Sequence, residues 1–224
     1  MADVLHILTI AIPAILAITL HEAAHGFVAR SLGDDTAARL GRVTLNPLKH
    51  IDLVGTILLP AMLVATNAPF LFGWAKPVPV NFSRLHHPRR DMVLVAAAGP
   101  GINLLMAVAA AAALHLVPLL PAGSQDWIGA NLANAILINA LLCIFNLLPL
   151  PPLDGGRIAV GLLPDGLARP LARLERWGLL IILGLVFVLP IIGRQAGMKL
   201  DVFSVIVGTP TDWLIRAIAT GVGL

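Results

Sequence analysis

The chain has 224 residues, 58% of them apolar and 12% charged, with a net charge of +3 and a mean hydropathy of +0.91. Soluble domains run at roughly 45–50% apolar and about 25% charged, so this chain has too little polar surface to cover itself in water and belongs in a bilayer. Its basic balance then reports orientation and contact with anionic headgroups rather than nucleic acid. The lone Cys143 excludes an intrachain disulfide and a cysteine zinc cluster.

Residues 4–29 form the first apolar stretch, long enough for a span, which needs about 20 residues at 1.5 Å each. Asp3 in place of a basic start, and the lack of a small-residue cleavage site, argue against a signal peptide. Pro13 is placed to kink this helix. Its second half reads AITLHEAAHGFVAR, with His21 and His25 four residues apart. On a helix they share one face, about 6 Å apart along the axis, where two imidazoles can close on one tetrahedral Zn²⁺. Glu22, beside the first histidine, is placed to act as general base on a water at the metal. On a soluble helix this five-residue pattern is only suggestive. Within a membrane helix, ionisable residues imply a partner or a water-filled cavity.

A second apolar stretch, 53–72, is broken by Pro60 and Pro69, and the following Pro77-Val78-Pro79-Val80 suits an extended edge. GRVTLN, ahead of it, reads as a short strand. Together they would form an edge able to capture an unwound substrate by strand addition, with a surface loop as the alternative. Further apolar stretches run over about 92–117, 127–148 and 177–193. The last, 202–222, holds Pro210, Asp212 and Arg216, and could span, lie at the interface or do neither. Trp74, Trp127, Trp177 and Trp213 fall near segment edges, as interfacial aromatics do. Cys143 lies in an apolar run and reads as a small buried hydrophobe.

Basic residues follow the first, second and fourth stretches: Arg30 to Lys49, Lys76 to Arg90 and Arg157 to Arg176. The positive-inside rule puts all three clusters in the cytoplasm, so the second stretch must enter the membrane and return on the same side, with the N-terminus outside. The expected fold is an all-α polytopic membrane protein of about five to six segments, one of them re-entrant, with short strand or edge elements near the active site. It forms a single domain over residues 1–224.

A catalytic zinc site needs a third protein ligand. The run NLLPLPPLDGGRI supplies Asp154 at the end of an apolar stretch, with Gly155 and Gly156 allowing a turn or a close backbone approach. A helix N-cap is the other use of such an aspartate. His50, His86 and His87 sit in basic loops and read as solvated, while His6 and His115 look interfacial. Asn46 and Asn81 read as turn residues.

HEAAH in a membrane helix, AAAGPGINLLMA in a later one and FNLLPLPPLDGG after another resemble the site-2 protease family of intramembrane zinc metalloproteases. GRVTLNPLKHIDLVGT and FGWAKPVPVN resemble its compact bacterial branch, without PDZ or regulatory domains. The resemblance covers roughly residues 10–160, with the motifs in the family's order. It implies one Zn²⁺ per chain held by His21, His25 and Asp154, with Glu22 as the catalytic base. It matches Asn146 and Asn103 to polar positions near the site, which could meet substrate or the developing oxyanion or could hydrogen-bond a neighbouring helix. The implied reaction is peptide-bond hydrolysis within transmembrane segments of membrane proteins, in a bacterial inner membrane, from a site opening to the cytoplasm. The competing readings are a di-iron membrane enzyme, which needs more clustered histidines, an inactive scaffold, and a non-proteolytic transporter or proton relay using the same polar residues.

Overall fold

The computed structural model describes residues 2–66, 75–195, 197 and 201–224. Its helices in chain order are α1 (Ala2–Ser31), α2 (Thr36–Arg39), α3 (Leu59–Ala65), α4 (Pro88–Leu114), α5 (Ala122–Asn146), α6 (Asp154–Leu162), α7 (Asp165–Arg173), α8 (Glu175–Leu183), α9 (Leu189–Gln195) and α10 (Thr209–Val222). Wider π-helical turns at Leu53–Leu58, Gly184–Val188 and Ser204–Gly208 lead into α3, α9 and α10.

Among the described residues, four helices are long and apolar enough to cross a bilayer: Val4–Ser31, Pro88–Leu114, Ala122–Asn146 and Glu175–Gly193. The chain is an integral membrane protein. These four, found among the described residues, stand beside the five to six segments expected, one of them re-entrant. The described part of the 53–72 stretch, residues 53–66, holds the short α3 and its π-helical lead-in, which pack chiefly on each other. In the 202–222 stretch α10 is 14 residues long and packs Ile218, Leu214 and Ile215 against an alanine-rich face of α4 and against Ile136 of α5. Pro69, Trp74 and the stretch beyond Thr66 up to Trp74 lie outside the described residues.

The core is a three-helix bundle of α1, α4 and α5. Trp127 Nε1 donates to Leu5 O at 3.3 Å and Asn134 Nδ2 to Thr9 O at 3.0 Å, so α1 and α5 run parallel. Asn103 meets Ala17 while Val95 meets His25, so α4 runs antiparallel to α1. Small residues at the contacts, Ala17, Ala23, Ala96, Ala107 and Ala140 among them, are buried and let the backbones approach closely.

The chain leaves α1 and enters α4 at one end of this bundle, where His86 N donates to Leu32 O at 2.9 Å. The Arg157 guanidinium lies 5.0 Å from the centre of the Phe82 ring, and Arg89 reaches Gly161 O at 3.0 Å and Asp165 Oδ1 at 2.8 Å. Basic residues on either side of the 32–87 connection and those around α6 and α7 therefore share that end.

The expected strands are absent among the described residues. GRVTLN turns and bends, and 75–80 has no regular secondary structure and forms no ladder. The reason is local: Pro77 and Pro79 carry no N–H, and the intervening donors are committed elsewhere. Lys76 N donates to His50 O at 2.8 Å, and Val78 N donates to Glu22 Oε2 at 2.7 Å. Arg42 Nη2 ties the two segments together by donating to Lys76 O at 2.7 Å.

His50 corrects the expectation of a solvated loop histidine. It is buried, with Nε2 3.0 Å from Thr44 O. Asn46 and Asn81 do serve turns, their side-chain oxygens accepting from Leu48 N and Ser83 N. Cys143 is a buried free thiol.

Candidate metal centre

The third bundle helix stops inside the molecule. α5 ends at Asn146, the chain turns through Leu147–Leu153, and α6 restarts at Asp154. That turn is tight. A Cβ on Gly155 would lie 2.2 Å from Leu147 O, and one on Gly156 2.2 Å from Pro151 N. Both glycines permit the close backbone approach anticipated from the sequence, and they aim the first residue of α6 back at α1. Asp154 is not an N-cap; Leu153 holds that position and Asp154 lies in the first turn, where the positive helix end suits a carboxylate.

His21 and His25 project from one face of α1, one turn apart, with their rings edge to face and centroids 4.7 Å apart. Their Nε2 atoms lie 3.1 Å from each other and 3.2 and 3.3 Å from Asp154 Oδ2. All three side chains are buried. Their outer ring nitrogens face acceptors: His21 Nδ1 lies 2.5 Å from Asn103 Oδ1, and His25 Nδ1 lies 2.7 Å from Val95 O. An acceptor opposite Nδ1 requires the proton there, so each neutral ring turns a bare Nε2 lone pair inward.

With both rings neutral, two lone pairs and a carboxylate oxygen converge here, and Asp154 Oδ2 is buried. Three acceptors packed this way repel one another unless a cation sits among them. Zinc fits. A tetrahedral site with bonds of about 2.0–2.1 Å has ligand-to-ligand edges of about 3.3 Å, and the three separations observed lie close to that. Gly99 of α4 supplies the remaining room, since a Cβ there would come within 2.5 Å of His21 Cε1 and His25 Nε2. Sequence reasoning had not singled out Gly99; its place within GPGIN was the one available signal.

Glu22 is half-buried beside His21, with Oε2 held by the Val78 N–H. Val78 reaches that position because its side chain, with that of Val43, packs over Gly26 one turn further along α1, where a Cβ would lie 3.1 Å from each.

The two asparagines separate. Asn103 is fully buried, its oxygen on His21 and its amide nitrogen donating to Asn139 Oδ1 at 2.8 Å and Ala17 O at 3.3 Å. Its oxygen and nitrogen both meet neighbouring helices, which is one of the two uses the sequence left open for it. Asn146 is half-buried, its Nδ2 donating to Leu142 O of its own helix at 3.0 Å.

Comparison with known proteins agrees with this chemistry. The family model for peptidase family M50 matches residues 122–189. A protein of Bacillus subtilis (strain 168) named "Putative zinc metalloprotease YwhC" is 42% identical over 187 residues, covering 80% of each chain. Proteins named "Putative zinc metalloprotease Rip2" from Mycolicibacterium smegmatis and Mycobacterium tuberculosis (strain H37Rv) are 32% and 31% identical, over 75% of this chain and 62% of their own length. No solved structure matches the chain. The three buried acceptors around Gly99 could hold a metal ion, and the chain belongs to peptidase family M50, the site-2 protease family of zinc metalloproteases.

Proposed function

We propose that the chain is an intramembrane endopeptidase that cuts peptide bonds within transmembrane segments of other membrane proteins. The observation that carries this reading is depth. His21 sits about 15 Å of helix back from Ser31, at 1.5 Å per residue, in a bilayer core about 30 Å thick. A zinc site there serves a substrate that is itself in the membrane.

Zinc, when bound, polarises the scissile carbonyl and acidifies the attacking water. Glu22 takes the proton from that water on its carboxylate and returns it to the leaving amine. The Val78 N–H holds one carboxylate oxygen, which fixes the direction of the other. Asn103 and Val95 keep both histidine lone pairs turned inward. We assign Asn146, next to the broken end of α5, to contact with substrate or the oxyanion that forms on it. A substrate helix must unwind to expose a carbonyl, so small or helix-breaking residues are expected at the cut.

The basic end carries the Arg30 to Lys49 cluster, and the positive-inside rule makes it cytoplasmic. This supports an N-terminus outside, a re-entrant 53–72 stretch, and a site opening to the cytoplasm of a bacterial inner membrane. Residues 1–224 act as one domain in this reading.

The test is to purify wild type and Glu22→Gln in detergent, then measure bound zinc and cleavage of a transmembrane peptide. One zinc per chain in both, with cleavage only by wild type, is the expected result. Equal cleavage would remove Glu22 as the base. Absence of zinc from wild type would remove the metal site and favour the proton relay.

A further inference from the structure

Two histidines hold the site, and the structure fixes their protons in different ways. His25 Nδ1 faces a main-chain acceptor, Val95 O. His21 Nδ1 faces a side-chain amide, which could in principle turn over and present its nitrogen.

The direction of that amide can be traced back to the main chain. Asn139 of α5 is fully buried, and its Nδ2 donates to Ala135 O of its own helix at 2.9 Å. A carbonyl oxygen can only accept, so the nitrogen of Asn139 must face Ala135 and its oxygen must face α4. Asn103 then finds an acceptor at Asn139 Oδ1, 2.8 Å away, and a longer second one at Ala17 O, 3.3 Å away. Both lie on its nitrogen side, which leaves Oδ1 towards His21 Nδ1. Each link forces the next: Ala135 O, Asn139, Asn103, His21.

The geometry points to Asn139 as a positioning residue for zinc binding, acting through Asn103 to keep the His21 proton on Nδ1 and the lone pair on Nε2. This rests on the metal reading above and extends it to a residue that touches neither metal nor substrate. Without the Asn139 oxygen, Asn103 keeps only the longer contact to Ala17 and its amide can reverse. A reversed amide donates to His21 Nδ1, favours the proton on Nε2, and places a hydrogen where the metal must bind. Partners of this kind, one shell out from the ligands, typically change metal affinity by about 10–100-fold.

The experiment measures zinc affinity by competition with a chromophoric chelator in detergent, for wild type, Asn139→Leu and Asn139→Asp, alongside thermal unfolding of the zinc-free proteins. Asn139→Leu is expected to bind zinc about tenfold more weakly. Asn139→Asp keeps an acceptor towards Asn103 and is expected within about threefold of wild type. A purely structural role would lower the melting temperature of Asn139→Leu and leave the affinity of its folded fraction unchanged, which overturns the proposal. So does an Asn139→Asp variant as weak as Asn139→Leu. Asn139→Ala carries the same test where leucine is not accommodated: weaker zinc binding supports the relay, and unchanged binding overturns it. Wild type that takes up no zinc would overturn the metal reading itself, a distinct result.

Discussion

Gly99 faces both imidazoles with a hydrogen where any other residue has a carbon. An added Cβ would sit 2.5 Å from His25 Nε2 and 2.6 Å from His21 Nε2, closer than non-bonded atoms settle, so both rings would have to swing away. Gly99→Ala is expected to lower zinc affinity at least a hundredfold while preserving helix content, checked by metal analysis and circular dichroism. Asp34 makes a different kind of residue-scale claim. It is fully buried just beyond α1 and accepts from Thr36 N at 3.0 Å, Thr36 Oγ1 and Asn81 N at 2.6 Å, closing the turn after α1 onto the segment before α4. Burial alone would raise its pKa, but these hydrogen bonds and nearby Arg84 hold it below the ordinary 3.8. A depressed folded-state pKa stabilises the fold fully above the unfolded value, and that contribution fades as pH falls through the lower folded value. Asp34→Ala should therefore cost about 2–4 kcal/mol at neutral pH. Its melting temperature should also fall less than that of wild type below about pH 4. The grouping of His21, His25 and Asp154 was legible in the sequence because two of them share a helical repeat and the third stands out as a charge in an apolar run. Gly99 and Asn139 were not, because their meaning lies in what other helices bring against them.

The 75–80 segment shows what element-level reading could and could not reach. Alternating prolines kept the segment out of helix, yet the step to a strand failed because a ladder needs donors on a partner-facing edge. Here the Val78 N–H is committed to Glu22 and the Lys76 N–H to His50. Val78→Pro removes the first of these. A hydrogen bond to a charged group is worth about 1.5–3 kcal/mol, so cleavage should fall roughly ten- to a hundredfold with zinc content unchanged. Unaltered cleavage would show that the segment does not orient Glu22. The break between α5 and α6 was better foreshadowed. Pro149, Pro151 and Pro152 forbid a continuous helix, and Gly155-Gly156 allows the restart to press against the turn it has just left. The weaker readings were 53–72 and 202–222, where hydropathy alone cannot separate a span from a helix that packs on the bundle's flank.

At the scale of the whole molecule, composition decided the solvent and charge placement decided which ends belong together. The three basic clusters are far apart in sequence, yet α1 ends, α4 begins and α6–α7 pack at one end of the bundle. Between that end and the opposite one, where Ile136, Ala110, Ala111 and Ile218 pack, lies the candidate metal site. Polar groups this deep in an apolar bundle are costly unless they serve a purpose, and proteolysis of a membrane-embedded segment is the purpose the site supports. The most direct test is to reconstitute wild type with a single-span substrate in liposomes and map the new termini by mass spectrometry. Cuts inside the substrate's apolar span, absent with Glu22→Gln, are the predicted result; cuts confined to its water-exposed flanks would contradict an intramembrane site.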